Sequence, residues 1–262
     1  MKYGFIGCGN MGGALAKALS CATKEIILAD FLNEKAQELA KNLGIIAGTN
    51  NDVVENCDKI FLAVKPQMYK DVLLSIKDIL QEKKPVIISI AAGIKMEKIT
   101  EILGFSLPVI RIMPNTPVQV GKGLIMYDFN DLVDEKTVNE FVNDMAFAGI
   151  FDKIDESLID AGTAVSGCGP AYMFMFIDAL AKGGVKCGLS EDKAILYAAA
   201  TMEGAAKLLL ESKISPEILK QNVCSPGGST IKGVEALEQN GLYSACEDAV
   251  KKAFERNKEL GK

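Results

Sequence analysis

The stretch Lys2-Tyr3-Gly4-Phe5-Ile6-Gly7-Cys8-Gly9-Asn10-Met11-Gly12 constrains the fold more than any other part of this chain. An apolar run enters Gly-x-Gly-x-x-Gly and an amphipathic helical pattern leaves it, the strand–turn–helix of a dinucleotide-binding βαβ unit. Gly7 permits the tight turn, Gly9 lets a pyrophosphate approach the backbone, and Gly12 lets the helix pack on the strand. Cys8, Asn10 and Met11 belong to the same turn, and the helix N-terminus behind it offers partial positive charge to phosphate. Asp30 ends the next apolar run, where a carboxylate accepts hydrogen bonds from the adenosine ribose and repels a 2′-phosphate. Phe31 and Leu32 follow it rather than a cation, so this end leans modestly toward NADH, with Lys35 and residues near Asn50 still available to greet a phosphate.

The rest of the first half repeats the alternation. Strands are expected at Lys2–Ile6, Glu25–Ala29, Lys59–Val64, Pro85–Ile90 and Val109–Met113, with two more at Gly123–Tyr127 and Ile150–Ile154. Helices are expected at Met11–Ser20, Asn33–Leu43, Met68–Leu80, Met96–Leu103 and Glu135–Ala148. Strands alternating with helices imply right-handed crossovers and a mostly parallel, doubly wound sheet, a Rossmann-type α/β domain. Ligands in such sheets bind at strand carboxyl ends. Phe61-Leu62-Ala63-Val64-Lys65-Pro66 is one such end, and Lys65 there reads as cofactor-facing. Ser89-Ile90-Ala91-Ala92-Gly93 is a second, whose small residues let a nicotinamide ring lie close. Met113-Pro114-Asn115-Thr116-Pro117 is a third, with Asn115 and Thr116 offering hydrogen bonds.

Near Asp155 the pattern changes to helices alone: Ser157–Val165, Ala171–Gly184, Glu191–Ser212, Pro216–Asn222, Thr230–Gln239 and Tyr243–Leu260. The expected division is a dinucleotide domain at residues 1–155 and an all-α domain at 156–262. Ala171–Leu180 is apolar on nearly every face, so it is buried either at the centre of a bundle or against a second subunit.

Near the far end stands Val223-Cys224-Ser225-Pro226-Gly227-Gly228-Ser229-Thr230, a small, polar loop running straight into a helical pattern. Ser229 and Thr230 stand where helix N-caps belong. Uncovered backbone N–H groups and a helix N-terminus make a seat for a small anion such as a carboxylate. A cofactor turn at one end and an anion seat near the other point to a reductase of a small carboxylic acid.

Composition narrows the chemistry. The chain has no histidine, which excludes a Ser–His–Asp triad, a histidine metal site and an imidazole acid. Its seven cysteines are odd in number and lack a C-x-x-C pair, so neither a disulfide framework nor a zinc site is expected, and no metal at all. A net charge of −5 argues against nucleic acid or an anionic membrane as partner. No uninterrupted apolar run has membrane-spanning length, and the N-terminus lacks signal-peptide flanks, so a cytoplasmic protein is the expectation.

Taken together these motifs resemble pyrroline-5-carboxylate reductase, and the resemblance runs essentially end to end. It is carried by Phe5–Gly12, Ala63–Pro66, Ser89–Gly93 and Met113–Pro117, and more specifically by Ser166-Gly167-Cys168-Gly169-Pro170-Ala171-Tyr172, Asp178–Val185 and Ser225–Thr230. The resemblance implies an N-terminal domain that binds NADPH or NADH and a helical domain that forms an interlocked homodimer, with dimers often assembling into decamers. It implies an active site between the Rossmann domain of one subunit and helices of the dimer. It implies Asn50 and Ala63 through Pro66 as cofactor contacts, Ala92 beside the nicotinamide, Val223 and Ser225 through Thr230 as the loop for 1-pyrroline-5-carboxylate, and Thr230 as the catalytic residue. Asp30 and Cys168 depart from the family, Cys168 standing where serine is common. The implied reaction is hydride transfer to the ring C=N bond, giving L-proline, the last step of proline synthesis. A cyclic imine is protonated by solvent near neutrality, so this chemistry does without an imidazole. Two rivals stand beside it: a 3-hydroxyacid dehydrogenase using Lys182 or Lys186, and a non-catalytic NAD(P)-sensing module.

Overall fold

The computed structural model describes residues 2–260. The chain forms two compact units: the described residues through Cys168 together with those from Ala253 onward, and Gly169–Lys252.

The larger unit is an eight-stranded sheet. Its strands are β1 (Tyr3–Ile6), β2 (Ile26–Ala29), β3 (Ile46–Ala47), β4 (Lys59–Leu62), β5 (Val86–Ser89), β6 (Val109–Met113), β7 (Gly123–Phe129) and β8 (Gly149–Lys153). Their spatial order is β3-β2-β1-β4-β5-β6-β7-β8. All pairs are parallel except β6–β7, which is antiparallel. Chain order reverses at β1 and β4, so the carboxyl ends of these two strands flank the crevice where doubly wound sheets bind ligands. Among the helices are α1 (Asn10–Leu19), α2 (Asn33–Leu43), α3 (Asn50–Asn56), α4 (Tyr69–Ser75), α5 (Lys77–Lys83), α6 (Met96–Leu103), α7 (Glu135–Asp144) and α8 (Ile159–Gly162). The inner strands are apolar at nearly every position because helices cover both faces. One face carries Phe5 and Phe61, stacked with ring centroids 4.1 Å apart, over α1 and α7. The other buries Ile6, Ile60, Leu62 and Ile87 under α3 to α6.

Three local features differ from the expectation. The span Met68–Leu80 is two helices, not one: the Ser75 hydroxyl donates back to the Val72 carbonyl at 2.8 Å, and Ile76 leaves the helical region at φ −116°, ψ 6°. Serine bonding its own turn in this way competes with the helix ladder. The short β3 and the helix α3 are additional elements. They are held by a capping box in which the Asp52 backbone N–H donates to the Thr49 hydroxyl and the Thr49 N–H donates to the Asp52 carboxylate. The last strand begins at Gly149, where φ is +139° and a side chain would run into the backbone of Gly123.

After β8 the chain turns helical for good. Residues 156–167 pass through α8 into a π-helical turn at Thr163–Gly167, where the Thr163 hydroxyl donates to the Ile159 carbonyl at 2.6 Å. The compositional change near residue 155 thus marks the end of the sheet, while the compact unit runs on to Cys168. The smaller unit holds α9 (Gly169–Lys186), α10 (Glu191–Ser212), α11 (Pro216–Asn222), α12 (Ser229–Gln239) and most of α13 (Leu242–Leu260). Helices α9 and α10 pack along each other. The apolar face of α9 is not covered within one chain: Phe174 is 67% and Met175 72% exposed. A bundle-centre role for this helix is therefore excluded, because helices of one chain leave its apolar surface in water.

Candidate functional site

The glycine turn has the geometry its sequence demands. Gly7 sits at φ +107°, and a side chain there would meet the Ala63 carbonyl oxygen at 2.6 Å, so β1 and β4 close together at this point. The Ala63 N–H donates to the Ile6 carbonyl and stitches the end of β4 to β1, and the Gly7 N–H donates to the Ala29 carbonyl and stitches β1 to the end of β2, both at 2.8 Å. A side chain on Gly12 would strike the Gly7 carbonyl oxygen. At Gly9, by contrast, an added Cβ meets nothing within 4 Å. Gly9 is also the N-cap of α1 and makes no side-chain cap, so the first amides of α1 face open space. This is a cradle that fits a pyrophosphate. Cys8 is buried in the turn. Burial first, and the Asp30 charge second, push its thiol up to about 12, so it stays neutral beside a phosphate.

Asp30 is engaged by the backbone. Its Oδ2 accepts from the Cys8 N–H at 2.6 Å and its Oδ1 from the Leu32 N–H at 3.0 Å. The carboxylate therefore ties the end of β2 to the glycine turn, and each oxygen can still accept a further hydrogen bond. Phe31 next to it is 88% exposed. Asn50 opens α3 directly behind its capping box.

Ala63, Val64, Lys65 and Pro66 leave β4, and Lys65 is exposed at the start of a 3-10 turn. Ala91 and Ala92 leave β5 in a loop turned by Gly93 at φ +76°. Asn115 is nearly buried and already committed: its Nδ2 donates to the Ser166 carbonyl and its Oδ1 accepts from the Leu124 N–H, both at 3.0 Å. One amide hydrogen remains for a ligand, so bracing β7 against residue 166 is its main work.

Sequence reasoning passed over a buried polar group beside these strand ends. Tyr69, the first residue of α4, points its hydroxyl at the Leu62 carbonyl (3.0 Å) and at the Ser89 hydroxyl (2.8 Å). Arg111, paired with Ser89 in the β5–β6 register, has no exposed surface and reaches Glu156 at 3.2 Å and Asp160 at 3.5 Å. Glu156 also accepts from the Met96 N–H at 2.8 Å. An arginine in the middle of the apolar run Val109–Met113 was the available signal.

In the smaller unit the segment Ser225–Gly228 is a β-turn. The Gly228 N–H donates to the Ser225 carbonyl at 3.0 Å, and Gly227 sits at φ +74° behind Pro226, the arrangement of a type II turn. The N-cap of α12 is Gly228, with no side-chain cap, so Ser229 and Thr230 are the first two helical residues rather than the caps that their residue types suggested. A side chain on Gly228 would meet the Ser225 hydroxyl at 2.5 Å, so the Ser225 side chain would have to turn away to admit one. The consequence is chemical: Ser229 and Thr230 are exposed and neither hydroxyl is spent on capping. Val223 is 63% exposed ahead of the turn.

Of the two lysines of the dehydrogenase alternative, Lys182 is poorly placed for it. Lys182 pairs with Asp178 at 2.6 Å on the exposed face of α9, and that hydrogen bond raises its ammonium above the ordinary value, the wrong direction for a base. The seven cysteines are all free, and among the described residues no group of three or more His, Cys, Asp or Glu side chains forms a metal cluster.

Comparison with known proteins gives concordant matches. Residues 156–260 match the family model described as pyrroline-5-carboxylate reductase dimerisation, and residues 2–93 the model described as NADP oxidoreductase coenzyme F420-dependent. The chain is 37% identical over 263 residues to pyrroline-5-carboxylate reductase of Aquifex aeolicus, covering 99% of this chain and 97% of that one. It is 37% identical over 266 residues to the Escherichia coli K12 enzyme of the same name, covering 100% and 98%. A crystal structure of Plasmodium falciparum pyrroline carboxylate reductase with NADP bound superposes with a TM-score of 0.90 at 34% identity, covering 100% and 98%. By length and composition residues 156–186 would also suffice to cross a membrane. The same residues lie within the match described as pyrroline-5-carboxylate reductase dimerisation.

Proposed function

The chain belongs to the pyrroline-5-carboxylate reductase family and is an NAD(P)H-dependent oxidoreductase acting on a C=N bond, and we propose that two sites divide the work. The strand ends of residues 1–155 hold the dinucleotide, and Val223–Thr230, within residues 156–262, holds 1-pyrroline-5-carboxylate. When bound, the reduced nicotinamide supplies a hydride to the ring C=N carbon, and the nitrogen ends protonated in L-proline. Gly9, Asn10, Met11 and Gly12 take the pyrophosphate at the open start of α1, on a turn that Gly7 and Cys8 fix through their bonds to Ala29 and Asp30. Asp30 receives the adenosine ribose and disfavours a 2′-phosphate, giving a modest preference for NADH over NADPH. Asn50, Ala63, Val64, Lys65, Pro66, Ala91, Ala92 and Asn115 complete the cofactor side.

On the substrate side the amides of Gly227, Ser229 and Thr230 take the carboxylate, favoured by the N-terminal end of α12, while the Gly228 N–H closes the turn on the Ser225 carbonyl. Val223, Ser225, Pro226 and Gly227 shape that seat. The Thr230 hydroxyl hydrogen-bonds the ring nitrogen, directly or through water. The observation that carries this assignment is the open N-terminus of α12, with a threonine hydroxyl left outside any capping bond.

The family supports a homo-oligomer. We take the unit to be a homodimer joined through the exposed face of α9, and larger assemblies to be decamers built from such dimers. Free cysteines and negative net charge favour a cytoplasmic protein without membrane or nucleic-acid partners.

The test is oxidation of NADH, and separately of NADPH, by the purified protein with 1-pyrroline-5-carboxylate, with L-proline identified as product. Turnover with kcat/KM higher for NADH is the expected result. Tight cofactor binding without turnover of either would overturn the substrate assignment.

A further inference from the structure

Tyr69 joins two strand ends that the cofactor reading uses separately. Its hydroxyl donates to the Leu62 carbonyl at 3.0 Å, so its single proton is spent there and the Ser89 hydroxyl is the donor in the 2.8 Å contact. The first bond folds α4 back on the end of β4 and closes the loop that contains Ala63, Val64, Lys65 and Pro66. The second ties that loop to the end of β5, one residue before Ile90-Ala91-Ala92-Gly93. The far end of the β5 loop is pinned independently, where the Met96 N–H donates to Glu156 at 2.8 Å and Glu156 pairs with Arg111. Tyr69, Ser89 and Arg111 are all at or below 1% exposure, so no solvent competes for these bonds.

Resting on the cofactor placement proposed above, we propose that Tyr69 is a positioning residue for hydride transfer. Its hydroxyl sets the spacing of the β4 and β5 loops, and through them the resting place of the nicotinamide ring. It is not a proton donor: burial drives the phenol well above its ordinary value, and its proton already belongs to a backbone carbonyl.

The experiment compares Tyr69→Phe with Tyr3→Phe in the intact protein. Tyr3 is an equally buried phenol whose hydroxyl bonds Asp144 at 2.7 Å, and it stands at the opposite, amino end of the sheet. Both variants lose a buried phenol hydroxyl, with its two bonds at Tyr69 and its one at Tyr3, and both melt somewhat lower. Tyr69→Phe alone is expected to speed amide hydrogen exchange in residues 62–69 and 89–96 of the cofactor-free protein. With cofactor and imine it loses about tenfold in kcat, since small misplacements of reacting atoms cost rate steeply. Its KM for the imine stays within about twofold, the mark of an interaction made in the transition state. The isotope effect on kcat with NADH deuterated at the transferred position increases, because a misaligned hydride step becomes more limiting. Ser89→Ala breaks the same bridge from the β5 side without disturbing the ring and should give the same pattern, which also covers a poorly folding Tyr69→Phe. If exchange, kcat and isotope effect in both bridge variants match those of Tyr3→Phe, the proposal is overturned. Exchange in the cofactor-free protein does not depend on the imine, so a wrong substrate would sink the functional reading while Tyr69 is still judged.

Discussion

Single atoms carry the chemistry here, and two of them can be isolated. The Thr230 hydroxyl is exposed and free of capping duty at the start of α12. Thr230→Ala should lower kcat by ~10²–10⁴-fold, the range for a positioned proton-transfer group, with little change in stability. A raised KM at unchanged kcat would make the hydroxyl a binding group only. Asp30 tests cofactor choice. Asp30→Asn keeps an acceptor for the Cys8 N–H but removes the charge facing a 2′-phosphate. The ratio of kcat/KM for NADPH to that for NADH should rise about tenfold, the equivalent of ~1.4 kcal/mol. An unchanged ratio would leave Asp30 the purely structural task of holding the glycine turn.

At the scale of elements, three helical starts are fastened by a titratable carboxylate, Asp134 and Asp155 as N-caps and Asp52 as the capping-box partner of Thr49. The Asp52, Asp134 and Asp155 carboxylates accept from Thr49, Thr137 and Ser157 at 2.7, 2.6 and 2.8 Å. Those hydrogen bonds hold all three below the usual carboxylate value. A folded value below the unfolded one means that the stabilisation is present above the unfolded pKa, about 4, and is lost as pH falls through the folded one. Asp52→Ala should therefore show a shallower fall in Tm than the parent between about pH 5 and about pH 2. An identical slope would show that the capping box of α3 adds nothing measurable. Thr49-x-x-Asp52 was readable as a capping box, yet the helix it starts is only seven residues long and follows a two-residue strand. Elements so short carry too little periodicity to stand out from a loop.

For the whole molecule, the exposed face of α9 is the decisive surface. Phe174 and Met175 lie on a helix that a single chain leaves largely bare. Phe174→Glu with Met175→Glu should shift the sedimenting species from dimer to monomer, because two desolvated charges oppose an apolar interface. Retention of the dimer would move the interface to another face. In the sequence this helix read as one needing cover on every side, and what it lacked was any statement of where the cover comes from.

The sequence by itself determined the periodic and the punctuated parts of this protein. Alternating apolar runs specified the strands of the sheet, and the three glycines of the first turn specified a cradle, because backbone sterics at Gly7 and Gly12 admit no side chain. The Ser-Pro-Gly-Gly turn was legible for the same local reason. What only the tertiary structure decided was how polar groups distant in the chain are used. The antiparallel return of β7, the engagement of Asp30 by Cys8, the commitment of Asn115 to Ser166 and Leu124, and the Tyr69–Ser89 bridge all depend on which strand ends become neighbours. A buried hydroxyl or carboxamide must find a partner, but the fold, not the local pattern, chooses it.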